Sequence, residues 1–124
     1  METRNVRSIL LRKKIPLEAA KVENRFILLK IQPMLDYQDG KRTDVISGYT
    51  YECVDLIDYN RYSIKVKAQL APLMTDEELQ QLRENGEKVV IKFRNPTVYL
   101  FYNTAKEAYQ DAFSAENVEL LRSE

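Results

Sequence analysis

Arg61-Tyr62-Ser63-Ile64-Lys65-Val66-Lys67-Ala68 is the stretch from which the fold is read. Tyr62, Ile64, Val66 and Ala68 alternate without a break with Arg61, Ser63, Lys65 and Lys67, the period of a strand with one side in a core and the other in water. Upstream, Asp58-Tyr59-Asn60 is a turn signal, preceded by the β-branched and aromatic run Thr43 to Leu56. Gly48 inside that run predicts a bulge or bend that lets one long strand curve through both sides of a small barrel. Further back, the Asp-Gly step at Asp39 and Gly40, within Asp36 to Arg42, marks a hairpin turn. Before it, Phe26 to Gln32 reads as a strand with Ile27, Leu29 and Ile31 on one face and Lys30 and Gln32 on the other.

Downstream of Ala68 the period changes. Thr75 to Gly86 carries a capping box (Thr75 with Glu78), acidic residues in its first turn and a glycine stop, which together predict a short helix. Lys88 to Arg94 returns to alternation, with Val89, Ile91 and Phe93 set against Lys88, Val90, Lys92 and Arg94. Asn95-Pro96 turns the chain into a strand over Thr97 to Tyr102. A second capping box, Thr104 with Glu107, predicts a helix over Thr104 to Phe113, followed by a terminal strand over Asn117 to Leu121. The order strand, strand, strand, helix, strand, strand is that of an OB-like five-stranded antiparallel β-barrel, mainly β, with its helix between strands 3 and 4. Leu79 and Leu82 would turn that helix's apolar stripe onto the barrel's open end. An SH3-like barrel and an open antiparallel sheet with one helix share the element order, because order alone does not define strand pairing.

The chain has 124 residues, with 19 Lys plus Arg balanced by 19 Asp plus Glu, and 44% of its residues are hydrophobic, enough for one compact core. The balance excludes a histone-like polycation and a charged disordered tail. It is uneven along the chain: residues 1–25 carry seven basic and three acidic side chains, residues 97–124 two and five. We therefore expect a basic N-terminal arm over 1–24 and a single OB-like domain over 25–124, ending in the helix and strand extension. There is no histidine, so imidazole bases, Ser-His and Cys-His pairs and His metal ligands are excluded. Cys53 is the single cysteine and lies in an apolar, aromatic run, as a buried thiol in a reducing compartment would. In the first residues the apolar run Ile9 to Leu11 is cut off by Arg12, Lys13 and Lys14, too short for a signal sequence or a membrane span. A cytoplasmic protein without a membrane partner is expected.

No catalytic constellation stands out. Asp36, Asp39 and Asp44 lack calcium-loop spacing and are interrupted by Lys41 and Arg42, so they read as loop solvation and no metal or cofactor is expected. Asp55 and Asp58 bracket a turn with no nucleophile or phosphate-binding glycine loop beside them. The basic residues are more informative. If the apolar sides of the strands face a core, the opposite sides collect Lys30, Arg61, Lys65, Lys67, Lys88, Lys92 and Arg94, with Tyr49, Tyr51 and Tyr99 as rings on neighbouring segments. Cations that follow phosphates and rings that stack on bases are what single-stranded nucleic acid requires. The ordinary alternative is a wetted sheet face for the cations and core packing for each tyrosine. Arg12, Lys13 and Lys14 would lengthen the basic track.

The hairpin with a long polar turn, the Arg61 to Lys67 alternation, and the run Glu87-Lys-Val-Val-Ile-Lys-Phe-Arg-Asn-Pro-Thr-Val-Tyr-Leu-Phe-Tyr102 followed by Asn117-Val-Glu-Leu-Leu121 carry a resemblance of arrangement. Over Phe26 to Leu121 the chain resembles the small single-stranded DNA-binding and helicase-processivity proteins of Gram-positive conjugative elements and rolling-circle plasmids. The resemblance implies a non-enzymatic accessory protein for replication or transfer (conjugation) of a mobile genetic element, coating unwound DNA or assisting a helicase or relaxase. The competing expectation is a protein-interaction or assembly domain, such as a phage structural component or a homo-oligomer that pairs through an edge strand.

Overall fold

The computed structural model describes residues 15–16 and 23–123. Most of the expected basic arm, including Arg12, Lys13 and Lys14, lies outside the described residues. The protein is mainly β. Its strands are β1 (Ile15–Pro16), β2 (Phe26–Gln38), β3 (Lys41–Asp55), β4 (Arg61–Lys67), β5 (Val89–Arg94), β6 (Thr97–Asn103), β7 (Ala108–Ala115) and β8 (Asn117–Ser123), with one helix, α1 (Asp76–Glu84), between β4 and β5. That helix is too short to cross a membrane, and among the described residues no helix is long and apolar enough to do so.

β4 forms as its alternation predicts as far as Lys67: Ile64 and Val66 are buried, Tyr62 is half-buried, and Arg61, Ser63, Lys65 and Lys67 are exposed, whereas Ala68, expected on the core side, is exposed beyond the strand end with φ of 60°. β3 pairs with it antiparallel, placing Tyr51 opposite Ile64 and Cys53 opposite Tyr62. β2 and β3 form the expected hairpin. Gln38 pairs with Lys41 across a two-residue turn in which Asp39 and Gly40 have φ of 51° and 77°, the left-handed pair that Asp-Gly tolerates best.

The expected face of β2 needs correction. A bulge between Leu28 and Lys30 shifts the alternation, so that Phe26, Leu28 and Ile31 are buried instead of Ile27, Leu29 and Ile31. The bulge expected at Gly48 is present: Ser47 is the extra residue between the Met34–Gly48 and Leu35–Ile46 pairs. There β3 presses against β4. A Cβ added to Gly48 would overlap the Val66 carbonyl oxygen and stand 2.9 Å from Lys67 Cα.

Helix α1 starts where predicted, with the Thr75 hydroxyl accepting from Glu78 N at 3.1 Å. Leu79 is fully buried and Leu82 packs against the core, as their spacing implied. β2 pairs with β5 only at Phe26 and Ile27, and α1 takes over the strand beyond that point. Asp76 Oδ1 accepts from Ile31 N at 3.0 Å, and Gln80 Nε2 donates to Leu29 O at 2.9 Å.

The expected helix over Thr104 to Phe113 is corrected to a turn and a strand. Asn103 Oδ1 caps the turn by accepting from Ala105 N and Lys106 N, and Ala108 to Ser114 pair residue by residue with β6. A local capping signal yields here to cross-strand partners that no local pattern contains. The expected OB-like five-stranded antiparallel barrel is corrected with it. The strands form one eight-stranded open ladder in the order β1-β6-β7-β4-β3-β2-β5-β8, in which only β4 and β7 run parallel. The members beyond the expected five are β1, β7 and β8, the last of them the expected terminal strand. Only Glu116 separates β7 from β8, so consecutive halves of one segment border β4 and β5.

The core is built from Phe26, Leu28, Tyr51, Ile64, Leu79, Ile91 and Phe93 with their neighbours. Edge-to-face contacts link Phe26 with Phe93 (centroids 5.4 Å apart) and Tyr51 with Phe93 (6.1 Å). Asp55, also buried, closes the turn after β3 by accepting from the backbone N–H of Ile57, Asp58 and Asn60 at 2.9, 2.6 and 2.9 Å.

Gly48→Ala is expected to lower stability by about 1–3 kcal/mol through overpacking against β4; an unchanged denaturant midpoint would refute the close approach. Burial alone would raise the Asp55 pKa, but the turn N–H donors outweigh it and hold the carboxyl below its ordinary value. Its stabilisation is therefore complete above an unfolded pKa of about 3.9 and is lost as pH falls through the lower folded value. Asp55→Asn should flatten that acid-side decline in a series of urea melts.

Candidate functional site

The register sorts every candidate residue by face. On β3, Tyr49, Tyr51, Cys53 and Asp55 share the core side with Ile64 and Val66 of β4, while Thr50 and Glu52 share the outer side with Lys65 and Ser63. Tyr51 is corrected from a stacking ring to a core residue. It is fully buried, its hydroxyl donates to Gln69 Oε1 at 2.7 Å, and it accepts from Leu73 N at 3.0 Å. Tyr49 turns to the same side, half-buried against the core, away from the β4 cations. β-Branched and aromatic neighbours on both sides of β3 concealed which of its faces was internal.

Tyr99 stands differently. Thr97 pairs with Ser114 and Tyr99 with Ala112, and Ser114 pairs with Lys65, so Tyr99 lies on the outer side with the β4 cations. Phe101 is two residues further along β6 on that same side, its ring 6.4 Å from that of Tyr99 and tilted by 52°. Both rings are half-buried. The outer surface of β4 with its neighbours thus holds Arg61, Lys65 and Lys67, all exposed, between the Tyr99 and Phe101 rings on one flank and Thr50 and Gln32 on the other. Lys30 is exposed on β2, opposite Glu52. Glu52 is the one acidic residue in these rows, and the alternation of β3 alone did not assign it a face.

The remaining cations belong to another part of the surface. Lys88 precedes β5, and Lys92 and Arg94 lie on its outer side, three ladder positions from β4. Lys92 Nζ is 3.5 Å from Glu119 Oε2, and Arg94 is paired in register with Asn117. The exterior set expected as a single patch therefore divides. Arg61, Lys65, Lys67, Lys30 and Tyr99 stay together, and Lys88, Lys92 and Arg94 do not join them.

A further cation, Arg83 of α1, was missed. It lines a hollow of about 350 Å³ together with Leu29, Lys30, Arg61, Asp76 and Gln80. Its sequence signal was the spacing Asp76, Gln80, Arg83, one polar stripe at i, i+4 and i+7 of the helix. Nothing local connected that stripe to β2. Among the described residues no group of three or more His, Cys, Asp or Glu side chains is arranged to hold a metal ion. Asp36, Asp39 and Asp44 are exposed along the β2–β3 hairpin.

No protein-family model, curated protein or solved structure matches this chain.

Cys53 is fully buried within the core. Burial, reinforced by the carboxylates of Asp55 and Glu52, pushes its thiol pKa well above the ordinary value. It should stay unlabelled by an aromatic disulfide reagent at pH 8 in the folded protein and react stoichiometrically in denaturant. Fast labelling of the native protein would contradict this packing.

Proposed function

We propose that the chain is a non-enzymatic protein that binds single-stranded DNA with little base preference. The observation that carries the reading is the outer surface of β4, where three exposed cations lie beside the Tyr99 and Phe101 rings across β7. Cations follow the sugar–phosphate backbone and rings stack on unpaired bases, so such a surface needs no sequence readout. A net charge of zero is compatible with this because Lys65 lies between uncharged Thr50 and Ser114, while the acidic residues sit elsewhere, Glu116 in a hollow with Lys67 and Glu119 beside Lys92.

The open ladder keeps part of an OB-like arrangement: β2, β3 and β4 are consecutive antiparallel neighbours, α1 follows β4, and β7 pairs parallel with β4. OB folds bind oligonucleotides over strands 2 and 3 and the flanking 1–2 and 4–5 connections, which correspond here to β3, β4, the β2–β3 turn and the β6–β7 hairpin. The role in replication or transfer of a mobile genetic element, with a helicase or relaxase as partner, rests on the resemblance of arrangement alone; the cytoplasmic location rests on the single, buried cysteine.

A second reading, a protein-assembly domain, draws on β8. This strand is at the end of the ladder, with Leu120 and Leu121 47% and 41% exposed, and such an edge suits pairing with another strand.

Fluorescence anisotropy with a labelled oligonucleotide at low and high salt separates the two. Salt-sensitive binding is expected, weakened about tenfold or more by Lys65→Glu plus Lys67→Glu and by about 1–3 kcal/mol in Tyr99→Ala. Lys88→Glu plus Lys92→Glu should have the smaller effect. Absence of binding at low salt, accompanied by concentration-dependent self-association, would favour the assembly reading.

A further inference from the structure

β2 leaves β5 after Ile27, and the bulge at Leu29 turns backbone groups towards α1. The helix meets them with its polar stripe. Asp76 accepts from Ile31 N, Gln80 donates to Leu29 O, and Arg83 Nη1 donates both to Leu29 O at 2.9 Å and to Gln80 Oε1 at 3.2 Å. The satisfied backbone thereby fixes a guanidinium at the margin of the outer face. Lys30 and Arg61 line the same hollow, and neither makes an ion pair among the described residues.

We propose that Lys30, Arg61 and Arg83 form one seat for a single phosphodiester group of a bound strand; the proposal rests on the single-stranded nucleic acid reading above. Three cations from three elements approach the hollow, whereas its one carboxylate, Asp76, uses Oδ1 to accept from Ile31 N and Gln80 Nε2. The lining sums to two positive charges, from three cations and one anion. Both bonds of Arg83 use Nη1, leaving the donors of Nη2 and Nε for a ligand. A guanidinium held by its backbone contact loses little freedom on forming a forked pair with two phosphate oxygens.

The seat also gives the strand a direction across the protein. Carried back along β7, the register that pairs Lys65 with Ser114 aligns the Tyr99 row with Ser63 and the Phe101 row with Arg61. The strand then runs from the two rings over β7 and β4 to the seat at β2, crossing the β-strands instead of following them. From β6 to β2 is four ladder steps, or about 19 Å at a spacing of about 4.8 Å. This suits the lower end of the range of about 4–16 nucleotides per OB fold.

The test is a salt titration of oligonucleotide affinity for the full chain, Arg83→Gln, Lys30→Gln and their double variant, with thermal melts to establish folding. Loss of one phosphate contact lowers the slope of log K against log salt by about 0.7, and so weakens binding about fivefold at 0.1 M relative to 1 M salt. Arg83→Gln should do this. Because Lys30 and Arg83 would share one phosphate, the double variant should lose less than the sum of the single losses. If Arg83→Gln does not fold, Lys30→Gln and Arg61→Gln form the same cycle. Unchanged slopes, or strictly additive losses, in variants of a chain that still responds to Lys65→Glu plus Lys67→Glu would overturn the seat and leave the binding reading standing. A wild-type chain that binds no oligonucleotide at low salt would overturn both.

Discussion

A backbone amide that leaves a β-ladder must find another partner or be left buried and unpaired, at a cost of about 1–3 kcal/mol. At Leu29 to Ile31 this requirement organises the protein. β2 has lost β5 there, and the side chains of Asp76, Gln80 and Arg83 replace the missing strand. The same requirement anchors α1, whose Leu79 completes the core. The bulge that makes the substitution possible also moves Ile31 inward and leaves Lys30 outside. One irregular residue in β2 thus shapes core, helix position and surface charge together.

The outer face illustrates how a chain with no net charge keeps a local field. Lys65 projects from a strand whose neighbours in its row are Thr50 and Ser114, so no carboxylate is opposed to it across the ladder, whereas Lys67 shares a hollow with Glu116. Lys92 has Glu119 beside it instead. Two lysines on adjoining parts of one sheet therefore differ in the charge they present to solvent, although their immediate sequences are similar.

Much of this was legible in the sequence. The unbroken alternation of β4, the Asp39-Gly40 turn, the bend at Gly48 and the capped helix each encode their structure within a few residues, and each forms. What failed depended on distant partners. The Thr104–Glu107 capping signal is overridden by the pairing of β7 with β6, and the parity of β2 by a bulge with no Gly or Pro to mark it. The candidate site divided along the same line. The cations of strictly alternating β4 lie on its wet side as expected, whereas Tyr51, on a strand with β-branched or aromatic residues on both faces, lies inside. Arg83 entered the site only through the docking of its helix.

β4 and β7 are held together by pairs such as Ile64 with Phe113, and β2 and β5 by Phe26 with Ile91. Both join residues far apart in the chain, and the first is a parallel contact that no hairpin can deliver. Closing such long loops costs entropy before any packing repays it, which makes folding slow relative to helical proteins of this size. During synthesis, β2, β3 and β4 leave the ribosome well before β7 exists to cover the β4 edge. A nascent chain in that interval presents an uncovered strand, and the lysines on its wet side become a safeguard against pairing with the wrong neighbour.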